Sequence, residues 1–70
     1  MENITIRDEH IKLGQALKLS GAVGSGVEAK FEINDGLVTV NGKVCTERGR
    51  KLFSGDIIGY KNKEYVICGN

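Results

Sequence analysis

Apolar residues near the start of the chain recur with the spacing of a short helix. Leu13, Ala16 and Leu17 fall at positions i, i+3 and i+4 on one helical face, and Ser20 continues that face at i+7. Gly21 follows at the position where a left-handed residue commonly ends a helix. The pattern therefore predicts a first helix that runs from Leu13 to about Ser20.

A second helix has a clearly marked start and end. Ser25 is a good N-cap, and Glu28 three residues later completes the sequence signature of a capping box. Ala29 and Ile33 then share one apolar stripe. Gly36 is expected to end this helix, because glycine readily adopts the left-handed conformation of a C-terminal cap.

A second apolar stripe on this helix, formed by Val27 and Phe31, lies about half a turn from the first. It must either be covered by another part of the chain or stay exposed. Phe31 has two interpretations. It packs beneath a loop or against the terminal strands, as most phenylalanines do, or it offers a stacking surface to an unpaired base.

After residue 36 the apolar spacing changes from helical to alternating. Residues 37–40 are predicted as a strand, and the Asn41–Gly42 pair that follows is the strongest short-range signal of a hairpin. Further strands are predicted at residues 43–45, 57–60 and 64–67, with a short edge strand at residues 4–6. Residues 46–54 are predicted as a loop. The expected fold class is α+β, with two short helices packed on a small, strongly bent antiparallel sheet.

The length of the chain limits what it can build. Seventy residues allow one domain, so residues 1–70 are expected to form a single unit with a thin core. No apolar run approaches the roughly 18 residues of a membrane span. The N-terminus lacks the basic start and apolar stretch of a secretory signal. The cytoplasm is therefore the expected location, and no membrane partner is expected.

Few residues are suited to metal binding or catalysis. Cys45 and Cys68 lie far apart in sequence and His10 is the single histidine, so the ligands of a zinc site are missing. In the cytoplasm the two cysteines are expected to be free thiols. Ser25 is assigned to capping, and no serine, histidine and acid form an evident triad. We expect no enzyme, no metal, no cofactor and no small-molecule substrate.

The glycine-rich segment at residues 21–26 does not match a nucleotide-binding loop. Its glycines differ in order from the dinucleotide fingerprint, and the lysine of a P-loop is absent. A weaker role in binding an anion remains open, because free N–H groups at the start of the second helix attract phosphate.

Positive charge is concentrated in one segment, although the net charge of the chain is only +1. Residues 43–51 hold four cations and one glutamate, a charge of +3, and the rest of the chain sums to −2. Arg48 and Arg50 offer planar guanidinium groups to phosphate oxygens, Lys51 offers a flexible point charge, and Gly49 lets the backbone approach a ligand. This segment is either a phosphate-binding face or an ordinary solvated loop.

The order of these features resembles the S-four RNA-binding domain, which is named for a small-subunit ribosomal protein. The resemblance is carried by Glu-Ala-Lys at residues 28–30, the hairpin at residues 36–44 and Gly-Asp-Ile-Ile at residues 55–58. The core motif covers about residues 13–60. Residues 13–19 and 48–52 are similar to small stand-alone bacterial proteins that consist of this domain alone.

The resemblance implies an alpha-L type fold, in which the two helices and the hairpin form an L-shaped surface for structured RNA. The implied partners are ribosomal or transfer RNA and the ribosome, in ribosome assembly or translation. Carried over position by position, the resemblance implies RNA contacts at Lys30, Asn41, Gly42, Lys43, Arg48, Arg50 and Lys51. About four to six phosphate contacts would give a log–log salt slope of roughly −3 to −5.

The chain departs from the family pattern on its second helix. Gly26 stands where the family commonly has an arginine, and Phe31 replaces the next basic position after Lys30. The helix side of the RNA surface is therefore less positive than usual. The segment from Lys43 to Lys51 is expected to carry more of the binding.

A second hypothesis remains open at this point. The chain would be a protein-interaction module on a ribosomal or replication partner, with no direct RNA contact. Such a module would use Phe31, Val27 and the edge strand. It predicts binding that depends weakly on salt and is sensitive to the substitution Phe31→Ala.

Overall fold

A computed structural model describes residues 1–69 and confirms the α+β class. The predicted helices and strands occur in the predicted order, and two further short strands were not predicted. The first part of the chain contains β1 (Glu2–Thr5), β2 (Ile11–Lys12), α1 (Leu13–Leu19) and α2 (Gly26–Asn34). The second part contains β3 (Val38–Val40), β4 (Lys43–Val44), β5 (Lys51–Leu52), β6 (Ile57–Tyr60) and β7 (Lys63–Cys68).

Five strands form the main sheet in the order β1-β7-β6-β3-β4. The inner pairs are antiparallel, as predicted. The edge strand β1 instead runs parallel to β7, with Glu2 opposite Tyr65, so the sheet is mixed and the expectation of a wholly antiparallel sheet fails at this pair. A parallel pair needs a long crossover connection, and here nearly the whole chain lies between the two strands.

The segment at residues 46–54, predicted as a loop throughout, contains the short strand β5. This strand pairs with β2 in a separate two-stranded sheet, with Ile11 opposite Leu52. Leu52 is completely buried, whereas its neighbour Lys51 is exposed. One apolar residue, Leu52, therefore packs this segment against the core. A strand with a single buried residue has no repeating apolar pattern, so the sequence did not predict it.

Both helices begin and end where the sequence predicts. Helix α1 is followed by Gly21 in the left-handed conformation, at φ 81°. At the start of α2 the Ser25 hydroxyl accepts a hydrogen bond of 3.1 Å from the Glu28 N–H. The Glu28 carboxylate accepts one of 2.9 Å from the Gly24 N–H, rather than from the cap residue as in a standard capping box.

The hydrophobic core lies between the helices and one face of the main sheet. Its largest fully buried side chains come from both helices and four of the strands: Leu13, Leu17, Ile33, Leu52, Ile58, Ile67, Val38 and Val40. Within residues 1–69 no polar or charged side chain is fully buried, so every described charge lies at or near the surface. Neither helix of this part of the chain has the length or apolar composition needed to cross a membrane.

Tyr60 connects the sheet to α2. Its phenol, in a residue only 4% exposed, donates a hydrogen bond of 2.5 Å to the Glu32 carboxylate. The ammonium group of Lys61 lies 4.0 Å from the same carboxylate oxygen. The hydrogen bond to Glu32, followed by burial, raises the pKa of the Tyr60 hydroxyl above its ordinary value of 10.0.

We expect the substitution Tyr60→Phe to lower the free energy of unfolding by about 1–2 kcal/mol at pH 7, because a hydrogen bond to a charged acceptor is lost. A pKa raised by folding gives stability that is complete below pH 10 and is lost as the pH rises through the folded-state pKa. The difference in free energy of unfolding between wild type and variant should therefore become smaller above pH 10. Urea unfolding of both proteins at pH 7 and pH 11 measures this difference, and an equal difference at the two values would contradict the assignment.

Candidate nucleic-acid interface

The basic loop, defined here as residues 46–50, is fixed to the start of α1 by main-chain hydrogen bonds. The Leu13 N–H donates to the Arg50 carbonyl at 2.9 Å, and the Gly14 N–H donates to the Arg48 carbonyl at 3.0 Å. These N–H groups belong to the first turn of the helix, where no partner exists within the helix itself. The loop therefore caps α1, and the main chain at both of its arginines is hydrogen-bonded to the helix.

Gly14 allows the basic loop to approach α1 closely. A Cβ atom at this position would lie 2.6 Å from Cγ of Arg48, well inside van der Waals contact. The aliphatic part of the Arg48 side chain thus lies directly over the glycine. This contact explains why glycine occupies position 14, although glycine destabilises a helix by about 1 kcal/mol relative to alanine.

Arg48 forms one wall of a cleft of about 380 Å³ between α1, the start of α2 and the basic loop. We call it the basic cleft. It is lined by Lys12, Gly14, Gln15, Lys18, Gly26, Arg48 and Gly49. Three lining side chains are cations and none is a carboxylate. No atom lies within 4 Å of the place a Cβ would take at Gly26, so the residue that replaces the family's usual arginine leaves this part of the surface open.

The charged groups of the cations that line the basic cleft form no ion pair within residues 1–69. Across residues 1–69 there is one ion pair, between Lys61 and Glu32, and it involves none of the cleft residues. The nearest acid at the start of α2, Glu28, has its carboxylate engaged by the Gly24 N–H. The positive side chains are therefore free to bind an anion, and three of them in one concave surface suit the closely spaced phosphates of a nucleic acid.

Asn41 and Gly42 form the predicted hairpin turn, with φ values of 53° and 85°. The Asn41 side chain is engaged within the fold. Its amide nitrogen donates to the Asp56 carboxylate at 3.1 Å, and its amide oxygen accepts from the Ile57 N–H at 2.9 Å. One N–H and one lone pair of the amide remain. Lys43 is exposed beside this turn.

The second apolar stripe of α2 is uncovered. Val27 is 65% exposed and Phe31 is 61% exposed, so the interpretation of Phe31 as a packed residue is wrong. Lys30 and Glu32 point to opposite flanks, because two residues of a helix are separated by about 200°. Glu32 is held by Tyr60, which keeps its charge on the flank away from Lys30.

The structure brings together only part of the predicted site. Of the residues predicted to contact RNA, Arg48 lines the basic cleft, while Arg50 and Lys51 follow it along the chain. The predicted contacts on α2 and the hairpin lie outside the cleft lining. Two cations were missed by the sequence analysis, Lys12 and Lys18. Lys18 lies on the same face of α1 as Gln15, three residues earlier. A glycine inside a predicted helix, Gly14, was the one sequence signal that another segment packs closely against α1.

Metal-binding and nucleophilic groups are dispersed in this structure. Within residues 1–69 no three side chains of His, Cys, Asp or Glu are grouped as a metal site requires. Cys45 is buried, Cys68 is half-buried, and neither is in a disulfide. Ser25 serves as the cap of α2, and the His10 ring packs against Phe53 with 5.9 Å between centroids.

Comparison with known proteins gives consistent matches. The family model of the S4 (S-four) domain matches residues 4–68. The chain is 44% identical over 55 residues to a probable ribosome maturation protein, RlbA, of Bacillus subtilis (strain 168), covering 79% of this chain and 78% of the relative. It is 37% identical over 51 residues to a putative RNA-binding protein, YbcJ, of Escherichia coli (strain K12), covering 73% of each.

A solved structure is also similar. The solution structure of YbcJ from E. coli superposes with a TM-score of 0.74 and 29% sequence identity, covering 97% of this chain and 87% of the other. That structure is described as revealing an alfaL motif involved in RNA binding.

Proposed function

Because this chain belongs to the S4 domain family, we propose that it binds structured RNA through the basic cleft and the basic loop. RNA binding, rather than catalysis, is the activity to which the family and the relatives point. The observation that carries the proposal for this surface is the cleft itself. Its lining holds three cations that form no ion pair within residues 1–69 and no carboxylate, and the loop beside it is hydrogen-bonded to α1.

The surface suits recognition of the RNA backbone more than of its bases. Lys12 and Lys18 supply flexible point charges, and Arg48 supplies a planar guanidinium that can bind two phosphate oxygens. Such contacts fix orientation and carry no sequence information. Lys30 and Lys43 would extend the contact beyond the cleft, and the exposed Phe31 would stack on an unpaired base.

Ribosomal RNA is the ligand we propose first, ahead of transfer RNA. The support is the relative named as a probable ribosome maturation protein, which shares 44% identity with this chain. We further propose action in the cytoplasm, during assembly of the ribosome. Crosslinking the protein to RNA in bacterial cells and sequencing the bound fragments tests this choice, and recovery of transfer RNA alone would reverse it.

The basic cleft can be tested with a charge-matched pair of variants. Lys12→Gln with Lys18→Gln removes two cations from the cleft, whereas Lys61→Gln with Lys63→Gln removes two from the β6–β7 turn. Each phosphate contact contributes a factor of about eight at 0.1 M salt, so the cleft variant should bind a hairpin RNA about 60-fold more weakly. The control should lose less than threefold. Fluorescence anisotropy with labelled RNA measures both, and equal losses would contradict the assignment.

The exposed stripe of Val27 and Phe31 favours a second candidate function, docking of a protein partner. The two functions make different predictions for Phe31→Ala. If Phe31 stacks on a base, this variant loses affinity for purified RNA. If it contacts a protein, affinity for purified RNA is unchanged and association with ribosomal particles is lost.

A further inference from the structure

A second groove adjoins the basic cleft on the other side of α1. It has a volume of about 630 Å³ and is formed by the segment after β1, by β2 and by the exposed side of α1. We call it the α1 groove. Gln15 and Lys18 line both the groove and the basic cleft, so the two are continuous.

The lining of the α1 groove is apolar at several positions. Ile6 is buried, Ile11 is partly buried against the core, and Leu19 is 60% exposed on α1. An exposed leucine beside one buried and one partly buried isoleucine gives a surface to which a flat ring can pack. Apolar lining with a few polar groups is the usual make-up of a site for a small ring system.

The remaining lining is polar, and one of its members, His10, also packs its ring against Phe53. Arg7, Asp8 and His10 line the groove, and within residues 1–69 none of their side chains forms a hydrogen bond or an ion pair. The Arg7 guanidinium and the His10 ring are planar groups on which bases stack. The Asp8 carboxylate can accept hydrogen bonds from exocyclic amino groups.

The charge and the position of the groove both favour a nucleotide as its occupant. Arg7 and Lys18 outnumber Asp8, so the rim is positive and complements an anionic chain. Because Lys18 is shared, a phosphate bound in the basic cleft leaves its base within reach of the groove. We propose that the α1 groove receives one unpaired nucleobase of the RNA whose phosphates lie in the basic cleft. This inference rests on the proposed function.

The test compares two hairpin RNAs that differ by one bulged nucleotide, 2-aminopurine, whose fluorescence reports stacking. Wild type should bind the bulged hairpin about tenfold more tightly than the fully paired one, as one base–side chain stack allows. Both His10→Ala and Arg7→Lys, which keeps the charge and removes the planar guanidinium, should reduce this preference to less than threefold while leaving affinity for the paired hairpin within twofold. Arg7 is exposed, so its variant keeps the test valid if His10→Ala is unstable.

The outcomes separate the two proposals. Lys12 and Arg48 line the basic cleft but not the α1 groove, so the variant with Lys12→Gln and Arg48→Gln should weaken binding of both hairpins by similar factors and keep the preference. If wild type binds both hairpins equally, or if both groove variants keep the preference, the base site is wrong and RNA binding stands; a groove used for a protein partner would give this result. If neither hairpin binds, the proposed function fails as well.

A free nucleotide carries the same base and phosphate groups and is the alternative ligand for the α1 groove. Adenosine monophosphate lacks the neighbouring phosphates that would occupy the basic cleft, so it should displace the RNA only at millimolar concentration or above. Displacement at micromolar concentration would assign the groove to a free nucleotide and overturn the inference.

Discussion

Replacing Arg48, Arg50 and Lys51 together with Ala is expected to lower the affinity for a hairpin RNA by about 10²- to 10³-fold at 0.1 M salt. The loss follows from three phosphate contacts, two from the basic loop and one from Lys51 at the start of β5, each contributing a factor of about eight under these conditions. The fold should survive, because the loop is attached to α1 through the carbonyl groups of Arg48 and Arg50, which alanine retains. Fluorescence anisotropy with labelled RNA measures the affinity, and circular dichroism checks the fold.

A charge-preserving variant is the matched control. Arg48→Lys with Arg50→Lys keeps every positive charge of the loop and loses only the planar, two-pronged hydrogen bonding of the guanidinium. It should bind RNA less than tenfold more weakly than wild type. If the alanine variant binds as tightly as this control, the basic loop does not contact the phosphates.

The second large effect concerns stability. We expect Leu17→Ala to lower the free energy of unfolding by about 3–4 kcal/mol, because a completely buried leucine leaves a cavity between α1 and the rest of the core. A 70-residue domain has roughly 4–10 kcal/mol in total, so this one change removes a large share. The variant should lose RNA binding near its lowered melting temperature and recover it on cooling.

Leu19 provides the control on the same helix. It is 60% exposed, so Leu19→Ala should change the free energy of unfolding by less than about 0.5 kcal/mol. Urea unfolding followed by circular dichroism compares the two variants. Similar losses for both would mean that α1 does not present Leu17 to the core as described.

Much of the fold could be predicted because its signals are local. The stripe of Leu13, Ala16 and Leu17 defines α1, and the cap at Ser25 defines the start of α2. The Asn41–Gly42 pair defines the hairpin. Each of these depends on a few neighbouring residues whose conformational preferences agree. The family resemblance drawn from the same residues is confirmed by the family match.

The remaining features depend on contacts between distant residues. The parallel pairing of β1 with β7 joins the two ends of the described chain, and no periodicity records it. The short strand β5 depends on one buried residue, Leu52. Exposure of Phe31 could not be decided either, because a second apolar stripe on a helix is equally compatible with a covering segment and with open solvent.

Only part of the candidate site could be predicted from the sequence, because the rest depends on contacts between residues that are distant in sequence. The loop cations stand together in sequence, so charge counting found them. Lys12 and Lys18 precede Arg48 by 36 and 30 residues in sequence. They line the same cleft as Arg48 only because the basic loop caps α1 over Gly14. Asn41 was chosen for its turn and its place in the family motif. Its bonds to Asp56 and Ile57 required the sheet to be known.

The central claim is that RNA phosphates occupy the basic cleft and the basic loop, and the salt dependence of binding tests it most directly. Affinity for a hairpin RNA is measured from 50 to 300 mM salt for wild type and for the alanine variant of Arg48, Arg50 and Lys51. The predicted log–log slope is about −3 to −5 for wild type and shallower by about two to three for the variant. A wild-type slope near zero, or the same slope in both proteins, would contradict the claim.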